Sequence, residues 1–135
     1  MPRISMTAMW YLSKDFRFEA SHRLAHHDGK CARLHGHSFR GTVTVAGDSL
    51  YAEGPKRGMI MDYADISAAL GPLLEHNLDH WHLNETLPEL DDPTSEAIAK
   101  WIYDRLARVL PHLVSVEIRE TCTARCVYMP GLRNT

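Results

Sequence analysis

The chain has 135 residues, 44% of them hydrophobic and 24% charged, with a formal net charge of -2, which fits one domain with a buried core. That charge leaves no electrostatic footprint for a nucleic-acid partner, and no run approaches the roughly 20 apolar residues that span a membrane. Three cysteines are an odd number and no secretory leader is recognisable, so we expect a cytoplasmic protein without a disulfide framework.

Residues 1–13 carry little pattern and read as an N-terminal extension, with Met1, Met6 and Met9 as alternative starts, ahead of one domain over residues 14–135. From Lys14 apolar and polar residues alternate, with Phe16, Phe18, Ala20 and His22 on one parity, which predicts a strand. After a loop over residues 25–30, a second strand is predicted over residues 34–47, where His35, His37, Phe39, Val43 and Val45 share a face. Residues 48–58, with Gly54-Pro55, read as the connecting turn of a hairpin. Asp62 can cap a helix in which Ile66, Ala69, Leu70, Leu73 and Leu74 follow helical spacing, kinked or ended at Pro72.

Residues 78–84 read as a loop. A second helix should begin at Asp92-Pro93-Thr94-Ser95-Glu96, with Pro93 at its first position. It should bury Ala97, Ile98, Trp101, Ile102, Leu106 and Val109 and close at Pro111. Val114, Val116, Ile118 and Glu120 alternate along a third strand, and Cys126 opens a fourth. The order β-β-α-α-β-β indicates an α+β fold, an antiparallel four-stranded sheet with two helices packed on one face.

The chemistry concentrates in Cys31-Ala-Arg-Leu-His35-Gly-His37. On an extended segment side chains two apart project together, so His35 and His37 can reach one point. His22, at the end of an apolar row, supplies a third imidazole, and three protein ligands with one open position are what a catalytic zinc takes. Cys31 lies between Lys30 and Arg33, and three readings stay open for it: proton transfer as a thiolate, a fourth zinc ligand, or a buried small hydrophobe. Asp79-His80 is a candidate relay, provided the backbone turns there, because adjacent side chains on an extended chain point apart. Glu120 prolongs a core-facing row, which suggests a ligand bearing N–H donors unless the strand has already reached solvent. Cys122 and Cys126 flank a turn and read as structural.

Five stretches stand in register: Phe16-x-Phe18-x-Ala20-x-His22, Cys31-x-x-x-His35-Gly-His37, Leu78-Asp79-His80, Pro93-Thr94-Ser95-Glu96 and Glu120-Thr121. Together they resemble the 6-pyruvoyltetrahydropterin synthase superfamily, and its bacterial 6-carboxytetrahydropterin synthase branch in particular, over most of the chain. The resemblance implies a tunnelling fold that oligomerises into a barrel, commonly a hexamer made as a dimer of trimers. It implies Zn2+ on His22, His35 and His37, Cys31 as general base, and His80 with Asp79 and Glu120 in a proton relay. Glu120 matches a pterin anchor, and a carboxylate can accept two parallel hydrogen bonds from a pterin. Thr94, Ser95 and Glu96 match residues that contact the pterin from a neighbouring subunit.

The implied reaction turns 7,8-dihydroneopterin triphosphate into 6-carboxytetrahydropterin, acetaldehyde and triphosphate, on the way to queuosine and other deazapurines. Lys30, Arg23 or Arg33 is expected to hold the triphosphate. His26 and His27 have no counterpart in these motifs. Three other readings remain open: the 6-pyruvoyl synthase reaction, a cyclohydrolase-like ring opening, and a non-catalytic zinc- or pterin-binding module.

Overall fold

A computed structural model describes residues 8–131. Strands β1 (Trp10–His22) and β2 (His35–Gly47) form one long antiparallel hairpin in which Trp10 faces Gly47 and His22 faces His35. The first strand therefore starts ahead of the expected Lys14. Residues 10–13 have little side-chain pattern, yet their backbone finds partners along residues 44–47, so pairing rather than alternation extends the strand. Of the remainder of the expected extension, residues 8 and 9 precede the strand and residues 1–7 lie outside the described residues.

The hairpin is closed by residues 23–34, whereas residues 48–58, expected to be a hairpin turn, add no strand. Tyr51 and Gly58–Met59 hydrogen-bond to one another there, and Gly54 and Gly58 take positive φ of 89° and 82° that side chains resist. Helix α1 (Tyr63–Leu73) opens with the Asp62 carboxylate accepting the Ala64 N–H at 2.9 Å. Pro72 does not end it. The helix instead runs into a wider π-helical turn (Leu74–Leu78), in which the Asp79 N–H reaches the Leu74 carbonyl at 2.7 Å.

Residues 78–84 hold more structure than a loop. Strand β3 (Trp81–His82) pairs parallel to β1 at Ala20 and Ser21, and a single-turn helix α2 (Leu83–Thr86) follows. Both are too short to show a period in sequence. Helix α3 (Ser95–Leu106) is capped by Thr94, whose hydroxyl accepts the Ala97 N–H at 3.1 Å, so Pro93 precedes the cap instead of occupying the first turn. It buries Ile98, Ala99, Trp101, Ile102 and Leu106. Ala99 takes the place expected for Ala97, and Val109, 68% exposed beyond the helix end, is not core.

Strands β4 (Leu113–Arg119) and β5 (Cys126–Tyr128) complete a sheet of order β3-β1-β2-β4-β5. The four antiparallel strands are those expected, and the parallel β3 is a fifth. Phe16, Phe18, Phe39, Val43, Val45, Val116 and Ile118 send one face of the sheet into the core with Ile66, Leu70, Ile98 and Ile102 of the helices. No helix among the described residues is long and apolar enough to cross a membrane.

Candidate functional site

The three histidines meet at the closed end of the β1–β2 hairpin. His22 and His35 are directly opposed across the two strands and His37 stands two residues further along, so register alone brings three rings to one face. Their ring centroids lie 4.6, 5.1 and 4.8 Å apart, a nearly equilateral triangle. One ligating nitrogen from each lies within 4.8 Å of the others.

Backbone carbonyls set which nitrogen faces the centre. The His22 Nδ1–H donates to the Pro93 carbonyl at 2.8 Å, and the His35 Nδ1–H donates to the Arg33 carbonyl at 2.7 Å. Each bond leaves Nε2 as the lone-pair nitrogen. The Nε2 atoms of His22 and His37 are buried without a partner among the described residues, an arrangement that costs free energy unless a metal or a hydrogen-bond donor meets them. Burial pushes the His22 pKa below the ordinary 6.5, although the Pro93 carbonyl and Glu120 pull the other way; burial likewise depresses His37 against the pull of Glu120. Neutral imidazoles are the form that ligates. The donor set therefore fits a metal ion that takes imidazole nitrogens.

Glu120 follows directly on β4 and reaches this centre, its carboxylate oxygens lying 4.0 Å from His22 Nε2 and 3.9 Å from His37 Nε2. It continues the core-facing row as the sequence suggested, and it sits with the histidines. Asp79 and His80 form a separate pair. His80 takes a positive φ of 66°, the backbone turn that the relay reading required. Asp79 Oδ1 accepts the Glu19 N–H at 2.9 Å and lies 3.1 Å from His80 Nδ1. The Glu19 N–H first, and His80 second, hold the Asp79 carboxyl below the usual carboxylate range. His80, Trp81 and His82 line an open cleft of about 640 Å3 with Glu19, Ser21, Ser38 and His37.

Cys31 stands in a one-turn helix (Lys30–Ala32) in the loop between β1 and β2 and is half-buried. The cluster that could hold a metal comprises the three histidines, and Cys31 is not among its members. Among the described residues no hydrogen bond joins its thiol to His80 or to the histidines. Thr94 and Ser95 begin α3 immediately after Pro93, the Thr94 hydroxyl being committed to the cap, and Glu96 is exposed. His26 bonds to Asp92, and His27 accepts the Gly29 N–H; both serve the loop. The sequence left no mark for two participants, the carbonyls of Arg33 and Pro93, because backbone groups are common to every residue. Trp81 and His82 were hidden in a segment read as loop.

Fold and site together define an α+β protein of the tunnelling-fold type with a three-histidine centre at the end of its longest hairpin. The family model described as 6-pyruvoyl tetrahydropterin synthase matches residues 11–131, and the chain belongs to that family. It is 53% identical over 121 residues to the 6-carboxy-5,6,7,8-tetrahydropterin synthase of Synechocystis sp., covering 89% of this chain and 93% of that protein. It is 33% identical over 133 residues to the human 6-pyruvoyl tetrahydrobiopterin synthase, covering 87% and 89%. Among solved structures, 6-pyruvoyl tetrahydropterin synthase of Caenorhabditis elegans shares the fold with a TM-score of 0.79 at 24% identity, over 95% of this chain and all of that one.

Proposed function

We propose that the protein is a zinc-dependent 6-carboxy-5,6,7,8-tetrahydropterin synthase. It converts 7,8-dihydroneopterin triphosphate and one water to the 6-carboxy product, acetaldehyde and triphosphate, in the cytoplasm and as a barrel-forming homo-oligomer, a hexamer built as a dimer of trimers. The observation that carries the reading is the triangle of His22, His35 and His37, in which the Nδ1 atoms of His22 and His35 are tied to carbonyls and the buried Nε2 atoms of His22 and His37 lack a partner among the described residues. The likeness at 53% identity to a 6-carboxy synthase, against 33% to a 6-pyruvoyl synthase, supports the choice of product, and the product would feed queuosine and deazapurine synthesis.

His22, His35 and His37 would hold the zinc, which when bound supplies a Lewis acid for the oxygens of the substrate side chain. Glu120 would accept paired hydrogen bonds from the pterin ring and so fix its orientation beside the histidines. Cys31 would take the carbon-bound proton as general base. His80, held by Asp79, would move protons between side-chain positions, its orientation set by the Asp79–Glu19 bond. Thr94, Ser95 and Glu96 would meet the pterin from a neighbouring subunit. Lys30, Arg23 or Arg33 would meet the triphosphate.

The zinc-loaded protein is incubated with 7,8-dihydroneopterin triphosphate and the pterin is identified by mass, with Cys31→Ala alongside. A 6-carboxy product with acetaldehyde, absent from the variant, is the expected result. A 6-pyruvoyl product would move the protein to the sister activity, and zinc and pterin binding without turnover would refute catalysis.

A further inference from the structure

The sheet face turned away from the helices carries a charge arrangement that the proposed reaction leaves unused. Alternation that sends Phe16, Phe18, Phe39, Val116 and Ile118 into the core sends Arg17, Arg40 and Arg119 to the opposite face. The register then places Arg17 directly opposite Arg40 and Arg40 directly opposite Arg119. Three arginines thus stand in one row across three neighbouring strands, spanning about 10 Å at the usual strand spacing.

Like charges directly opposed across a sheet are destabilising, so such a row needs counter-charge. The chain provides only part of it. Arg119 pairs with Glu117 and also reaches Thr42 Oγ1 at 3.3 Å, while Glu117 is shared with Arg125 at 3.8 Å. Asp15 and Glu19 flank Arg17 at two residues on either side along β1, and their carboxylates accept the Thr42 hydroxyl at 2.7 Å and the Ser38 hydroxyl at 2.6 Å. Among the described residues Arg17 and Arg40 have neither an ion pair nor a side-chain hydrogen bond. Above the row lies an open cavity of about 320 Å3 lined by Asp15, Phe16, Arg17, Arg40 and Arg119.

We propose that this arginine row is an oxyanion site that takes a phosphate group, bridged between Arg17 and Arg40 and bordered by Arg119. The guanidinium is a planar fork whose paired N–H donors match phosphate oxygens. An anion seated between two such forks turns a repulsive row into an attractive one. The site lies on the face opposite to the histidine centre and stands or falls independently of the proposed reaction.

The test is thermal unfolding of the zinc-loaded full chain over a titration of orthophosphate, against sodium chloride at equal ionic strength, for the wild type, Arg17→Gln and Arg40→Gln. A parallel titration uses phenyl phosphate. The wild type should show a saturable rise in midpoint with orthophosphate that chloride does not reproduce. Each variant should bind about tenfold or more weakly, as expected for loss of one charge-assisted hydrogen bond. Without phosphate each variant should be at least as stable as the wild type, because a like-charge contact has gone; a purely structural arginine would give the reverse. Phenyl phosphate binding like orthophosphate marks the end group of a larger ligand, and orthophosphate binding alone marks the free ion. Phosphate stabilisation that is unchanged in both variants, or that disappears in Arg33→Ala instead, overturns the proposal.

Discussion

Replacing His22 by Leu separates what this side chain does for the metal from what it does for the fold. His22 is fully buried, donates from Nδ1 to the Pro93 carbonyl, and keeps an unpartnered Nε2. Leucine at this position leaves the Pro93 carbonyl without its donor, a loss of about 1–3 kcal/mol, and removes an unpartnered buried nitrogen, a gain of about the same size. Leucine also adds apolar burial of about 1.5–3 kcal/mol beside Phe39. The first two contributions cancel, so the metal-free variant should be at least as stable as the wild type, by up to about 3 kcal/mol.

Its response to zinc should change far more. A ligand at a hundredfold excess over its Kd stabilises by about 2.7 kcal/mol; a hundredfold weaker Kd at the same concentration leaves about 0.4 kcal/mol. A drop of that order or larger is expected for a lost ligand, since even residues that merely orient ligands cost about 10–100-fold. For a domain of this size the zinc-induced rise in Tm should shrink from roughly 10 °C to about 1–2 °C. Calorimetry or dichroism of both proteins with and without zinc reads the two quantities separately. A variant that keeps the wild-type zinc response refutes ligation by His22. A metal-free variant that loses more than about 3 kcal/mol refutes the account of its unpartnered nitrogen.

Acid should destabilise the metal-free protein through His22 and His37. Both have folded pKa values below the ordinary 6.5, so the unfolded chain binds protons first, and stability present above pH 6.5 declines as pH falls through that value toward the lower folded one. Chemical unfolding at pH 7.5 and 5.5 checks this, and equal stabilities would contradict it once other groups are matched with a double His22→Leu, His37→Leu control. Asp79→Asn keeps an oxygen for the Glu19 N–H but loses the charge beside His80; turnover should fall about tenfold or more while the zinc response stays unchanged. Thr94→Ala removes the cap on α3 and should cost about 1 kcal/mol, read as a shift in denaturation midpoint at constant slope.

Much of the site was legible because its geometry is local. His35 and His37 are two residues apart on a strand, and His22 closes a run of inward-facing residues, so strand parity alone aimed three imidazoles at one face. Glu120 was legible for the same reason, as the continuation of Val116 and Ile118. The turn at His80 is not legible in the sequence, since nothing local to Asp79-His80 forces a positive φ. That turn comes with the bonds that Asp79 and His80 make to Glu19, sixty residues earlier in the chain.

Alternation and helical spacing in the amino-acid sequence by themselves determined the four antiparallel strands, the two principal helices, the core rows and the trio of histidines, because each follows from a short-range period. Only the tertiary structure decided the rest. It extended β1 to Trp10 by pairing it with β2, inserted the parallel β3, and carried α1 through Pro72 into a wider turn. It also selected the ligating nitrogens through the carbonyls of Arg33 and Pro93, and it lined up Arg17, Arg40 and Arg119. Each of these depends on which distant backbone lies alongside, a relation that no period within one segment can encode.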